Sequence, residues 1–237
     1  MQAILYEFIG TAVLILLGNG VVANSALQKT YGNNSGWIVI TFGWAMGVFA
    51  GVFITAAASG AHLNPAVTLA FAYLGKFSWG QVPGYLAAQL AGAFTGAIAV
   101  WLTYKKHYDA TDDAAGIKAT FCTAPAVRSF GWNLVTEMIG TFVLVFGVLY
   151  IAAPASSLGA LDALPVALLV LAIGLSLGGG TGYAINPARD LGPRIAHFLL
   201  PIKHKGKSEW SYAIVPILGP ILGSALAAAA YHFLHLP

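Results

Sequence analysis

Two Asn-Pro-Ala motifs stand 122 positions apart in this chain, Asn64-Pro65-Ala66 and Asn186-Pro187-Ala188. Asparagine followed by proline is a helix-start signal. Asparagine is a good N-cap, and proline at the first turn lacks only an N–H that would be unpaired there anyway. An asparagine that caps with its side-chain oxygen keeps its NH₂ as a donor. The chain ahead of each motif reads as extended backbone with a ladder of carbonyl acceptors, assigned to Gly60, Ala61, His62, Leu63, Gly182 and Ala184. Each helix N-terminus also brings about half a unit of positive charge. Donors, a carbonyl ladder and positive helix ends on an apolar lane suit the passage of a small neutral molecule that carries hydroxyls. The same helix ends oppose cations and protons.

Few other residues offer chemistry. Arg189 directly follows the second motif, and its guanidinium is a fixed donor that does not deprotonate. Glu7 and Glu137 lie in apolar surroundings 130 positions apart. Each is assigned to accept backbone N–H bonds and hold an irregular segment in shape, in preference to a proton relay. Asp190 is assigned to electrostatic support of its helix start, and His62 to a hydrogen-bonded position on the path. No nucleophile–base pair and no metal-ligand spacing appears, and Cys122 is the single cysteine. The reading is a non-enzyme without cofactor or metal.

These residues need elements that suit a membrane. Of 237 residues, 58% are apolar and 8% charged, with a mean hydropathy of +0.78. Soluble domains carry about 25% charge, so a soluble enzyme is excluded, and disorder is excluded by the same numbers. The net charge of +3 does not argue for nucleic acid. Charges are absent from residues 8–28, 30–75, 77–104, 138–161, 163–188 and 210–237. A span needs roughly 20 apolar residues. Spans are predicted near 3–23, 37–58, 82–104, 133–153, 165–180 and 212–234. Residues 59–81 and 181–200 are too apolar for solvated loops and too broken for full spans. Each reads as an irregular stretch feeding a short helix, 67–74 and 188–200. Irregular backbone at membrane depth is tolerated where it lines a cavity or is buried in protein.

The chain also repeats itself. The Glu7 and Glu137 contexts match, the two Asn-Pro-Ala contexts match, and Gly92 and Gly96 match Gly219 and Gly223. Small residues at these places, and at Gly10, predict close helix crossing. Three spans per copy is an odd number, so the second copy enters the membrane from the opposite side. The expected organisation is a single channel domain over 1–237: repeat 1 over 1–104, a connecting loop over 105–132 and repeat 2 over 133–237.

Paired Asn-Pro-Ala motifs in an inverted three-plus-three repeat resemble the aquaporin, or major intrinsic protein, family. The resemblance runs the whole chain. It implies an all-α membrane protein with six transmembrane helices and two re-entrant half-helices. It also implies an aromatic/arginine selectivity filter, which maps onto Trp44, Gly174, Tyr183 and Arg189. These stand twenty, twelve and three residues before, and three after, their asparagines. Glycine at 174, aspartate at 190 and the Pro216-Ile217 pair resemble the glycerol-conducting pattern, with Gly174 leaving room for carbon-bearing solutes. Tyr183 departs from it, since phenylalanine is usual there.

The implied function is a passive channel for glycerol and other small uncharged solutes, with water. Dihydroxyacetone, urea and protonated lactic acid are small and neutral enough to share the path. A water-selective channel is the alternative, and a secondary transporter a more distant one. The implied setting is a multi-pass homotetramer in the plasma membrane with both termini cytoplasmic. In that orientation ten of the 11 basic residues fall on the outer side or in its re-entrant loop, against the positive-inside tendency.

Overall fold

The computed structural model describes residues 1–151 and 161–235. It is helical throughout, with no strand among the described residues. Among the described residues five helices are long and apolar enough to cross a membrane: α1 (Gln2–Ala26), α2 (Trp37–Ser59), α4 (Val82–Thr103), α7 (Phe130–Ile151) and α10 (Val215–Leu234), the last continuous with a 3₁₀ turn at Trp210–Tyr212. Apolar residues occupy every face of these helices, as expected where one face meets protein and another meets lipid.

The sixth predicted span is shorter than expected. Helix α8 (Leu164–Leu177) has 14 residues, about 21 Å at the rise of an α-helix. Gly178, Gly179 and Gly180 end it before residue 180. The predicted fourth span begins three residues earlier than expected, at Phe130, and its last two residues, 152 and 153, lie outside the described residues.

The predicted connecting loop is partly helical. It holds α5 (Lys105–Ala110), with a Lys105–Asp109 ion pair, and α6 (Ala114–Ala119), capped by the Asp113 carboxylate on Ala115 N. The two half-length helices are α3 (Pro65–Tyr73) and α9 (Pro187–Leu199). Each starts at its proline, and the preceding asparagine oxygen accepts from backbone N–H groups of the first turn, as the capping rule requires.

Helix α1 packs on α2 and α4, while α7 packs on α10 and α8. The α1/α4 and α7/α10 crossings are close because glycine faces backbone. A methyl group at Gly92 would lie 2.3 Å from the carbonyl oxygen of Phe8, and one at Gly223 the same distance from that of Met138. The half-length helices cross between halves. Helix α3 packs against α10 and α4, and α9 against α4 and α10. Their N-termini are thereby brought together inside the bundle.

Candidate functional site

The two asparagines meet at the centre. Asn64 Nδ2 donates to the carbonyl of Ile185, and Asn186 Nδ2 to the carbonyl of Leu63, both at 2.9 Å. Each side chain thus caps its own helix and pins the segment ahead of the other. One N–H of each NH₂ is spent on this cross-link, so one is left to face the path. The carbonyl of Leu63 is likewise engaged, which the ladder reading did not anticipate.

The segments ahead of the motifs are not extended. Gly60, Ala61 and Leu63 have φ of +79°, +49° and +50°, and Gly182, Tyr183 and Ile185 have +77°, +36° and +43°. Non-glycine residues hold left-handed backbone only where the surroundings impose it, at about 1–3 kcal/mol each. Here the two buried glutamates impose it. Glu7 accepts from His62 N (2.9 Å), Leu63 N (2.7 Å), Ser59 Oγ (2.8 Å) and Gln89 Nε2 (2.8 Å). Glu137 accepts from Ala184 N (3.0 Å), Ile185 N (2.9 Å) and Thr181 Oγ1 (2.6 Å). These turns replace the extended chain expected ahead of each motif. His62 Nδ1 lies 3.1 Å from Thr68 Oγ1, and its ring packs among Phe71, Phe77 and Tyr85.

Two cavities meet at three side chains. The first, about 620 Å³, is lined by Gly60, Ala61, His62, Leu63, Asn64, Ala184 and Asn186, and by the apolar Leu14, Val48, Val52 and Leu144. The second, about 420 Å³, is lined by Gly182 and by Lys118, Cys122, Thr123, Arg128 and Glu209. Trp44, Tyr183 and Arg189 line both. The Arg189 guanidinium lies over the Trp44 ring, 4.1 Å from its centroid, a cation–π contact. Trp44 seats against Gly18, where a methyl group would meet its ring at 2.3 Å. Arg189 Nη1 also reaches the carbonyl of Phe121 at 3.5 Å.

Gly174 lines neither cavity. The space its missing side chain leaves is taken by Tyr183, whose Cζ lies 2.9 Å from where a Cβ would be, and by Thr41. The Gly174 carbonyl accepts from Trp37 Nε1 (3.0 Å), and Trp37 meets the Tyr183 ring edge-on. Glycine therefore seats an aromatic ring here and does not add open width. The Tyr183 hydroxyl is buried and has no hydrogen-bond partner among the described residues.

Asp190 stands in the first turn of α9 as expected, but its carboxylate does more than face the helix end. It accepts from Arg194 Nε (2.8 Å) and Nη2 (3.1 Å), and from Thr123 N and Oγ1. Arg194 is fully buried and lines neither cavity. It donates to the carbonyls of Ser208 (2.6 Å) and Thr123 (2.9 Å). Sequence reasoning also missed Gln89, Thr68, Trp37 and Thr123. Their only sequence signal is a polar or indole group inside an otherwise apolar stretch.

Five bilayer-length helices around two half-length helices, with cap residues meeting over a lined path, define a multi-pass membrane channel. A family model described as "Major intrinsic protein" matches residues 1–231, and the chain belongs to that family. It is a family of channels and facilitators, not of enzymes. The chain is 56% identical to a probable glycerol uptake facilitator protein of Thermotoga maritima over 234 residues, 99% of this chain and 100% of that one. It is 53% identical to glycerol uptake facilitator protein 3 of Lactiplantibacillus plantarum, over 98% of this chain and 96% of the other. The fold matches the X-ray structure of the aquaglyceroporin from Plasmodium falciparum with a TM-score of 0.86 at 31% identity, covering 97% of this chain and 94% of that one.

Proposed function

We propose that this chain is a passive channel for glycerol and other small uncharged solutes, with water, and that Trp44, Tyr183 and Arg189 form the wall of its selectivity filter, with Gly174 giving Tyr183 its seat. The observation that carries the reading is the junction of two cavities at Trp44, Tyr183 and Arg189. A three-carbon polyol lays its carbons on the two aromatic faces and gives its hydroxyl oxygens to the Arg189 donors. Beyond the filter its hydroxyls meet the carbonyls of the Gly60–Leu63 and Gly182–Ala184 segments and the remaining N–H of Asn64 and Asn186. Pro65, Ala66, Pro187 and Ala188 are buried and shape the helix starts without touching the path. Ions find no replacement hydration shell and meet Arg189 and two positive helix ends. The names of the relatives support glycerol as the solute. Dihydroxyacetone, urea and protonated lactic acid meet the same chemical requirement.

The working unit is a single channel domain of two inverted repeats, assembled as a homotetramer with one pore per subunit and both termini cytoplasmic. A native mass of four chains checks the assembly. Stopped-flow light scattering on proteoliposomes checks the function. The expected result is fast, non-saturating glycerol flux above empty vesicles that falls on Arg189→Ala or Asn64→Ala. Fast water with no glycerol flux overturns it in favour of a water-selective channel.

A further inference from the structure

Glu209 lines the second cavity with no role yet assigned to it, and it sits where three elements converge. Its backbone is left-handed, with φ +48° and ψ +56°, a conformation that a non-glycine residue holds only where it is imposed. Its carboxylate is shared between two cations. One oxygen takes Lys118 Nζ from α6, and the other takes Arg128 Nη2, two residues ahead of α7. Its carbonyl accepts from Arg194 Nη1 of α9 at 3.2 Å.

The two cations bracket a segment that matters to the filter. Between them lie Phe121, whose carbonyl faces Arg189, and Thr123, which holds Asp190. Lys118, Thr123, Arg128 and Glu209 all line the second cavity, together with Trp44, Tyr183 and Arg189. Isolated surface ion pairs contribute little, and networks with low exposure contribute more. Here one carboxylate serves two partners 91 and 81 residues away in sequence; the Lys118 arm is 12% exposed and carries most of the bridge, while the Arg128 arm is 58% exposed and adds less.

We infer that Glu209 is a positioning residue for this mouth. Its two-armed ion bridge clamps the 118–128 segment against the chain entering α10. That clamp keeps the Phe121 carbonyl on Arg189 and the entrance narrow enough to sort solutes by length. The inference rests on the channel reading above.

The test compares the parent chain, Glu209→Gln, and the charge-reversed triple variant K118E/R128E/E209K. Amide hydrogen exchange of the 118–128 segment is followed in nanodiscs. The glycerol-to-five-carbon-polyol flux ratio is followed in proteoliposomes. In Glu209→Gln, exchange rises and the flux ratio falls by about threefold, within what a part-exposed ion pair supplies. In the triple variant both return toward the parent, because the bridge is rebuilt with opposite signs. Unchanged exchange in Glu209→Gln overturns the inference. So does faster exchange with an unchanged flux ratio in a conducting parent, or a triple variant no better than Glu209→Gln. A parent without glycerol flux sinks the channel reading instead, and the exchange arm still judges the clamp.

Discussion

At the scale of single residues, Tyr183 is the point where fold and permeation compete. Its backbone is left-handed, its ring fills the place of a side chain at Gly174, and its hydroxyl is buried without a partner among the described residues. A buried unpaired hydroxyl costs about 1–3 kcal/mol. Tyr183→Phe removes that cost while keeping the ring, so thermal unfolding in detergent is expected at the same temperature or higher. The hydroxyl has no access to the path, so its loss is expected to leave the glycerol-to-water permeability ratio unchanged, measured by stopped-flow on the same vesicles. A ratio that shifts severalfold in Tyr183→Phe would place the hydroxyl within reach of the permeant.

Glu137 makes the opposite case at the same scale. It is buried and accepts from two backbone N–H groups that shape the Tyr183 segment. Glu137→Gln turns one of its two oxygens into an NH₂ that faces a backbone donor. The expected cost is about 1–3 kcal/mol, seen as a lower unfolding temperature together with reduced glycerol flux. Glu7 and Glu137 were both legible as structural carboxylates, because apolar flanks leave a carboxylate only internal donors. Which donors they meet was not legible. Those lie up to 82 positions away, as Gln89 does from Glu7.

At the scale of elements, glycine decides how closely helices approach. Gly223 of α10 faces the Met138 carbonyl, whereas Gly20 of α1 has nothing within 4 Å of where a methyl group would sit. Gly223→Ala is therefore expected to destabilise by about 1–3 kcal/mol through overpacking against backbone. Gly20→Ala is expected to be neutral or stabilising by about 0.5–1 kcal/mol from helix propensity. Parallel melts of the two variants check the pair, and equal melts would remove the close-contact argument.

The spans themselves were legible because bilayer thickness sets a length that charge-free windows reveal. The shortness of α8 was less so, because the helix stops in a glycine run inside one charge-free window. The helical turns in the connecting loop escaped for another reason. A window search for apolar length ignores the Asp113 cap and the Lys105–Asp109 spacing.

For the whole molecule, charge is concentrated at one mouth, where Lys118, Arg128, Arg189 and Glu209 line one cavity. The Lys118 hydrogen bond, with Arg128 adding to it, holds the Glu209 carboxyl below the usual glutamate range. A carboxylate depressed in this way stabilises the fold at pH above its ordinary titration range. It loses that contribution only as pH falls through the lowered value. Acidifying this face from about pH 7 to about pH 5 is therefore expected to leave exchange protection of the 118–128 segment intact, with loss confined to more acid solution. Exchange measured across that range checks it, and protection lost near neutrality would mean another group controls the mouth.

Composition and spacing alone determined the membrane setting and the two half-length helices with their caps, and the resemblance to the family singled out the three residues at which the cavities meet. The first two follow from local rules: apolar length against bilayer thickness, and Asn-Pro as a helix start. Tertiary structure alone decided the rest. It crossed the asparagine side chains onto each other's segments, replaced extended backbone by left-handed turns, and gave the space at Gly174 to Tyr183. It also committed Arg194 to a buried pair with Asp190. The physical reason is common to all four. A buried donor, acceptor or ring is committed by whichever partner the packed bundle brings within about 3 Å, whether that partner is 121 positions away, as Ile185 is from Asn64, or four, as Asp190 is from Arg194.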